Sequence, residues 1–383
     1  DRIKLRYADD DAQSFSDVFT SIGGLEEQNN QLLLEPTTKE LLSAIDNIKS
    51  KIEADKQSNN SGANPRVEFI FYYSGHSDEK NLLLGEQTLA YSALKESLNT
   101  VEADVRLAIL DSCASGAFTR LKGGQQVTPF LENDSSQVEG YAYLASSSVD
   151  EAAQESDAIG GAYFTHYLVS ALRGAADLSK DKKVTLDEAY QYAFNETLAR
   201  TQGSVYGAQH AAYDIQLSGE SSLILTNLEK NSANLYIDEK ITGRIYIRDS
   251  KGLLKVELNK HNTDPLNIGL EAGEYQITIE QDGIVYQVKN YVINQGVTAL
   301  KMDELAKVNA TQSVARGGYI DNEVEDIPYK FSLIPSMQSP PNLENKKQRV
   351  KWDLNLFGNK TYQINGVAAG SVYTHIEDST HGA

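Results

Sequence analysis

Short, nearly continuous apolar runs alternate with helical periodicities through the first half of the chain. The runs at 67–74, 105–112 and 141–147 have the length and composition of strands that are buried on both faces. Apolar residues recur at helical spacing in the segments 9–22, 38–52, 90–99, 161–172 and 185–200. Strands that alternate with helices need crossover connections, so the pattern predicts an α/β domain whose mostly parallel sheet lies between two layers of helices.

Beyond residue 226 the hydrophobic pattern changes to period two, which is typical of half-buried strands. Alternating runs separated by Gly, Asn and Asp turns occur at 235–237, 244–247, 253–258, 275–280 and 284–293. We therefore expect a first domain over residues 1–226, a small β-sandwich over 227–306 and a β-rich segment over 307–383. The stretch L-E-A-G-E-Y-Q-I-T-I resembles the signature of PEGA-like bacterial surface sandwiches. This resemblance implies a part that does not catalyse, and either binds a cell-surface or protein partner or acts as a spacer.

The charge and the cysteine count exclude several classes of function. The 383 residues carry a formal net charge of -19 at pH 7, so the chain would be repelled by nucleic acid, and we expect no such partner. The single cysteine permits neither an intramolecular disulfide nor a cysteine-based metal cage. Since no apolar run approaches the ~20 residues that span a bilayer, we expect no transmembrane segment.

Two of the predicted strands end in residues that are suited to nucleophilic catalysis. The first run leads into Gly75 and His76, and the second leads into Cys113. Ligands bind at the carboxyl ends of strands in open α/β sheets, so the imidazole and the thiol are expected to meet there. An imidazole beside a thiol supplies both a thiolate and a proton for the leaving group. The backbone at Gly75 and Cys113 could then face an oxyanion. The alternative is a strand-end histidine and an unreactive core thiol.

The motifs Y-Y-S-G-H, ending at His76, and A-I-L-D-S-C-A-S-G, around Cys113, together resemble the caspase-hemoglobinase class of cysteine peptidases. The resemblance is specifically to metacaspase-like and bacterial caspase-family members, and it covers about residues 5–226. It implies a caspase-like three-layer α/β/α fold. It also implies a dyad in which His76 is the general acid and base and Cys113 is the nucleophile that forms a thioester acyl-enzyme.

An acidic substrate pocket is the next expectation. Asp111 lies two residues before the cysteine, so on a strand both side chains point to the same face. The resemblance implies that Asp111 and Asp11 bind a P1 Arg or Lys, with Ser74 lining the pocket, and Asp150 is a further acidic candidate. Each of the three aspartates also has an ordinary alternative role. Asp111 could be a strand-end carboxylate, Asp11 a charge at a helix N-terminus and Asp150 a surface loop residue. The predicted function is an endopeptidase that cuts after basic residues.

A catalytically inactive, caspase-like scaffold or binding module is the alternative function. It is kept open by Ser77, which stands where the family often has Gly. The bacterial resemblance leaves the compartment undecided between the cytoplasm and an extracytoplasmic site.

A loop after the cysteine contains the basic residues Arg120 and Lys122. A protease that prefers basic P1 residues could cut itself at this loop and open its cleft. The alternative is a solvated basic pair in a surface loop.

The sequence requires no cofactor, although many metacaspases use calcium. Asp177, Asp181 and Glu188 have oxygen donors at offsets similar to those of an EF-hand loop. The position that needs Gly for the sharp turn is Lys182, so the alternative is a plain turn between helices. We expect no confident metal site.

The family has a central strand before its first helix, and nothing in the sequence before Leu5 corresponds to it. We predict a short strand at 31–34, and a gap in the sheet between this strand and the one at 67–74. The natural protein is therefore expected to extend upstream.

Overall fold

The computed structural model describes residues 5–58, 66–119, 138–149, 151–204, 206–219, 222–261 and 263–308, and the backbone of five later strands. The chain divides into two compact units, Asp1–Ala310 and Thr311–Ala383. Within the described residues, no helix has both the length and the apolar character that a membrane crossing requires.

Among its described residues the first unit has six α-helices, five of which form where the apolar periodicity predicts them. The six are α1 (Ala8–Ser21), α2 (Thr38–Ser58), α3 (Tyr91–Asn99), α4 (Gly116–Thr119), α5 (Tyr163–Ser170) and α6 (Leu186–Thr201). The short helix α4 was not predicted. In α1 the side chains of Phe15, Val18 and Phe19 recur at helical spacing and are buried. Helix α6 begins at a capping box, in which Thr185 and Glu188 each bond the backbone N–H of the other.

The main sheet of the first unit has the strand order β1-β5-β6-β10, and smaller two- and three-stranded sheets surround it. The strands are β1 (Glu68–Ser74), β2 (His76–Ser77), β3 (Asn81–Leu84), β4 (Gln87–Ala90), β5 (Val105–Asp111), β6 (Glu139–Ala145), β7 (Glu155–Ser156), β8 (Gly161–Ala162), β9 (Lys183–Thr185), β10 (Ala212–Ser218) and β11 (Ile224–Asn227). Strands β1, β5 and β6 are parallel, and β10 pairs antiparallel with β6. The predicted mostly parallel sheet is confirmed.

Two hydrophobic clusters cover the two faces of the main sheet. In β5, Leu107 and Ile109 point to the cluster formed with α1, α5 and α6. The intervening Ala108 and Leu110 point to the cluster formed with α2 and α3. Because β5 is apolar on both faces, it can lie only between two layers of helices, as the continuous run predicted. The predicted three-layer α/β/α arrangement is confirmed.

A β-sandwich follows, which we call the β-module. Its strands are β12 (Ala233–Ile237), β13 (Gly243–Asp249), β14 (Leu254–Lys260), β15 (Leu266–Leu270), β16 (Gly273–Gln281), β17 (Ile284–Ile293), β18 (Gly296–Leu300) and β19 (Ala306–Val308). They form two sheets of order β15-β12-β18 and β14-β13-β16-β17-β19, with one core between them. The predicted boundaries at 226 and 306 stay predictions.

The β-module packs against α5 and against the π-helical turn Ala171–Ala175 that follows it. In this turn Gly174 has a φ of 111°, and a Cβ there would clash with the carbonyl oxygen of Asn267 in β15. Only glycine permits both this backbone conformation and this close approach.

The second unit is described by its backbone alone. Its strands are β20 (Glu325–Ile334), β21 (Met337–Ser339), β22 (Gln348–Asn355), β23 (Asn359–Gly370) and β24 (Thr374–Thr380). They form a sheet of order β21-β20-β22-β23-β24, in which only the pairing of β20 with β21 is antiparallel.

The strand predicted at 31–34 is not formed, and this prediction was wrong. Isolated extended backbone gains no ladder hydrogen bonds, and β1 has no strand on its outer side among the described residues. A cavity of about 1550 Å³ lies beside β1, lined by α1, α2, β1 and this segment. Leu33 and Leu34 are consequently exposed.

Candidate active site

The register of β1 and β5 places the predicted catalytic residues on neighbouring strand ends. Ser74 pairs with Asp111 at the carboxyl end of the ladder. One further bond extends it, since the Gly75 N–H donates to the Asp111 carbonyl oxygen at 3.1 Å. His76 follows at the start of β2, and Cys113 lies two residues beyond the end of β5.

Hydrogen bonds on both sides fix the turn that carries Cys113. The Ser77 hydroxyl donates a short hydrogen bond to the Cys113 carbonyl oxygen. On the other side, Ala114 has a φ of 53°, and its N–H donates to the Glu151 carbonyl oxygen at 3.0 Å. A non-glycine residue in the left-handed region is uncommon and marks a turn that its surroundings impose. Ser77, the departure from the family pattern, therefore ties the histidine segment to the cysteine turn.

The residue before the cysteine is held by the two residues that follow the next strand, β6. The Ser112 N–H donates to Ser146 Oγ at 3.1 Å, and Ser147 Oγ donates to the Ser112 carbonyl oxygen at 2.9 Å. All of these groups are buried, whereas Cys113 itself is partly exposed. The nucleophile candidate is thus a reachable side chain on an anchored backbone.

The structure brings Asp11, Ser74 and Asp111 together beside these strand ends. Asp11 is only 4% exposed, and Ser74 Oγ donates to its Oδ2 at 3.2 Å. The Ala162 N–H donates to both carboxylate oxygens of Asp11, at 3.1 and 3.2 Å. Asp11 therefore faces the interior of the protein. The sequence also permitted a solvent-exposed Asp11, because it follows two other acidic residues at the start of a helix.

Asp111 is 3% exposed, and it accepts two hydrogen bonds from the start of α5. The Thr165 N–H and hydroxyl donate to Asp111 Oδ2 at 3.1 and 2.6 Å. Its Oδ1 has no hydrogen bond of standard geometry to any described residue. Asp111 thus caps the Thr165 N–H at the start of α5, in keeping with its ordinary role.

The surroundings of the acidic pair disfavour its negative charge. Burial raises the pKa of Asp11 well above its ordinary value, and the negative charge of Asp111 raises it further. Burial also raises the pKa of Asp111, although hydrogen bonds from Thr165 and Ser146 oppose this shift. A buried cation would relieve both penalties, so the pair is suited to receive a positive group.

Glu155 is a third carboxylate of this pocket, and sequence reasoning missed it. In the β7–β8 hairpin it pairs with Ala162, the residue whose N–H binds Asp11. Burial raises the pKa of Glu155, although hydrogen bonds from the N–H groups of Arg6 and Tyr7 oppose this shift. The Arg6 N–H donates to Glu155 Oε2 at 3.3 Å. Its Oε1 is buried without a hydrogen-bond partner among the described residues. Strands of two residues leave no periodicity from which the sequence could reveal this hairpin.

Three of the predicted site residues lie outside the described residues: Asp150, Arg120 and Lys122. Their predicted roles in the pocket and in self-cleavage stay predictions.

The weak calcium candidates accept hydrogen bonds from the backbone of their own loop. Asp177 Oδ2 accepts from the Lys182 N–H at 3.0 Å, and Asp181 Oδ1 accepts from the backbone two residues later at 2.8 Å. Glu188 belongs to the capping box of α6. In the part of the chain that the structure describes, no three His, Cys, Asp or Glu residues are grouped to hold a metal ion. Calcium at this loop stays a prediction.

Comparison with known proteins agrees with this fold. A family model described as Caspase domain matches residues 1–219, which is more than half of the chain. The chain belongs to the caspase domain family. The resemblance drawn from the two motifs is therefore confirmed.

A crystal structure of caspase-1 from Spodoptera frugiperda is also similar to this chain. The TM-score is 0.40 at 12% sequence identity, and the match covers 60% of this chain and 85% of the caspase-1 chain. No curated protein matches the sequence. Membership of the caspase domain family identifies the first part of the chain as a cysteine peptidase fold, whose substrates are proteins.

Proposed function

We propose that this caspase-domain protein is a cysteine endopeptidase that hydrolyses peptide bonds after Arg or Lys. The observation that carries the proposal is the buried pair Asp11 and Asp111, next to the strand ends that carry His76 and Cys113. Two carboxylates with raised pKa values form a poor site for an acidic P1 residue and a good one for a basic residue.

The reaction uses two side chains in two steps. His76 accepts the proton of the Cys113 thiol, and the sulfur attacks the carbonyl carbon of the scissile peptide. The tetrahedral intermediate collapses to a thioester as His76 returns the proton to the departing amine. In the second step His76 takes a proton from water, the resulting hydroxide attacks the thioester, and the thiol leaves with that proton.

The oxyanion of each tetrahedral intermediate needs backbone donors at the cysteine turn. The N–H of Cys113 remains our proposal for one donor. The Gly75 N–H, which the sequence also suggested, donates to the Asp111 carbonyl oxygen. It could serve an oxyanion only after this bond is broken, so we leave Gly75 out of the mechanism.

The proposed P1 pocket contains Asp11, Asp111 and the newly found Glu155, with Ser74 orienting Asp11. A guanidinium or ammonium group that enters it replaces mutual repulsion between carboxylates with attraction. The pairing is strengthened because the two Asp side chains are almost fully removed from water.

Hydrolysis of short fluorogenic peptides tests the proposal. Peptides with Arg, Lys or Asp at P1 are incubated with the full chain, with and without calcium, beside the Cys113→Ala variant. We expect turnover after Arg and Lys only, and none with Cys113→Ala. Turnover after Asp alone would refute the pocket while leaving the dyad intact. No turnover under any condition would favour the inactive scaffold instead.

A further inference from the structure

A single carboxylate of the β-module is buried against the helices of the caspase domain. Glu257 in β14 is completely inaccessible to solvent. Its Oε1 accepts from Arg244 at 2.6 Å and also pairs with Arg200 of α6. Its Oε2 accepts from the Tyr167 hydroxyl at 3.3 Å and lies 3.7 Å from His166 Nε2. Burial alone would raise the pKa of Glu257, but His166, Arg200 and Arg244 lower it to about 2.

The main chain of Glu257 also contacts the two helices. Its N–H donates to Ser170 Oγ of α5 at 3.2 Å, and its carbonyl oxygen accepts from the Tyr192 hydroxyl of α6 at 3.1 Å. With His166 and Tyr167, three residues of the eight-residue helix α5 therefore contact one residue of the β-module. No other described residue of the β-module is shown with as many bonds to α5.

The first turn of the same helix contacts the proposed P1 pocket. Thr165, the residue before His166, donates from its N–H and hydroxyl to Asp111 Oδ2. The Tyr72 hydroxyl lies 2.5 Å from Thr165 Oγ1. Since the Thr165 hydroxyl donates its own proton to Asp111, the Tyr72 hydroxyl is the donor in the bond between Tyr72 and Thr165. The position of α5 thus decides whether Asp111 Oδ2 keeps both of these donors.

Helix α5 has little stability of its own. It is eight residues long, its N-cap residue Ala162 makes no side-chain capping bond, and it runs into a π-helical turn. Helices this short are marginal in water without tertiary contacts. Its placement must therefore come from its neighbours, and Glu257 supplies the densest set of polar contacts.

We infer that Glu257 is a positioning residue for the peptidase. It holds α5 through His166, Tyr167 and Ser170, so that Thr165 presents both donors to Asp111 and fixes the carboxylate that binds the P1 side chain. The β-module is then a working part of the peptidase and more than a spacer. This inference rests on the proposed function for its kinetic readout and is independent of it for its structural readout.

Three variants separate positioning from simple loss of stability. Glu257→Gln keeps the shape and both main-chain bonds but removes the charge. Thr165→Val removes the hydroxyl that binds Asp111. Glu271→Gln is the matched control, because it removes a carboxylate that pairs with the buried Arg173 at the same interface but does not contact α5.

Three properties of each variant are measured on the full chain. They are amide hydrogen exchange over 163–170, kcat and KM for a P1-Arg peptide, and the rate at which iodoacetamide alkylates Cys113. The alkylation does not depend on the P1 pocket. We expect faster exchange in Glu257→Gln. We also expect KM to rise between about 2-fold and 30-fold in Glu257→Gln and Thr165→Val, as for residues that act through others. Alkylation should stay near the wild-type rate, and the control should change neither exchange nor KM.

Unchanged exchange over 163–170 in Glu257→Gln would overturn the inference, and so would an equal rise of KM in Glu271→Gln. If the wild type turns over no peptide, the proposed function fails, while the exchange result still decides the coupling. If Glu257→Gln does not fold, Tyr167→Phe is used, since it removes a single hydroxyl that binds Glu257. In Tyr167→Phe we expect smaller increases in hydrogen exchange and in KM than in Glu257→Gln. Exchange at the wild-type rate in that variant would contradict the inference.

Discussion

Asp11→Asn should stabilise the protein and weaken its activity at the same time. Asp11 is almost fully buried, and the pKa of its carboxyl is raised well above the ordinary value by burial and by Asp111. An amide of the same shape keeps the oxygen that accepts from Ala162. It carries no charge, so the desolvation and repulsion penalties disappear.

The direction of the stability change follows from how tightly the folded and unfolded states bind the Asp11 proton. Because its pKa is raised on folding, the folded protein holds the Asp11 proton more tightly than the unfolded chain does. The wild type therefore loses stability as pH rises from the ordinary Asp pKa through the folded pKa. Removing this buried charge should therefore stabilise the protein at pH 7–8, and stabilising single substitutions typically contribute about 0.5–2 kcal/mol. The gain should shrink toward zero in acid, where Asp11 is protonated in both states.

Thermal unfolding at several pH values measures this effect. In a domain of moderate size, each kcal/mol of added stability raises Tm by about 2–4 °C. The same substitution should lower kcat/KM for a P1-Arg peptide by about 30-fold to several thousand-fold, because removing one partner of a buried charge pair weakens binding by about 2–5 kcal/mol. A Tm below the wild-type value at pH 8, or unchanged kcat/KM, would refute the reasoning.

The remaining predictions concern the edge of the site and the loop beside it. Glu155→Gln should lower kcat/KM for P1 Arg by up to about 5-fold, because a half-exposed ion pair contributes up to about 1 kcal/mol; no change would place Glu155 outside the pocket. Ser77→Ala should reduce stability by about 1 kcal/mol and kcat severalfold with KM unchanged, since the Cys113 carbonyl loses its donor; a rise in KM alone would contradict this. Intact-mass analysis should show cleavage after Arg120 or Lys122 in the wild type and none in Cys113→Ala, and a fully active, uncut wild type would exclude self-cleavage.

The strands that build the site were predictable from the sequence because their composition is compatible only with a buried position in the sheet. Strands β1, β5 and β6 are apolar on both faces, so only the centre of a covered sheet can bury them. Parallel strands align their carboxyl ends, and the motif spacing alone therefore brought His76 and Cys113 to one edge. Strand β10 was missed although Tyr213, Ile215 and Leu217 alternate with polar residues, because this edge strand lacks the continuous apolar run that marks β1, β5 and β6.

The pocket was predictable only in part, because its members depend on contacts that are distant in sequence. Asp11 follows two other acidic residues at a helix start, and only the bond from Ala162 shows that it is buried. Thr165 and Glu155 lie in ordinary surroundings along the chain and gain their roles from Asp111 in the folded protein. The strand expected at 31–34 failed because a strand needs a partner as well as an apolar sequence.

Covalent labelling with a peptidyl chloromethyl ketone tests the central claim most directly. A reagent with Arg at P1 should label Cys113 alone, as peptide mass spectrometry would show, and the labelling should be lost in His76→Ala and reduced in Asp111→Asn. The matched reagent with Asp at P1 should react far more slowly. Equal labelling by both reagents, or no label on Cys113, would contradict a His76–Cys113 peptidase that selects basic residues.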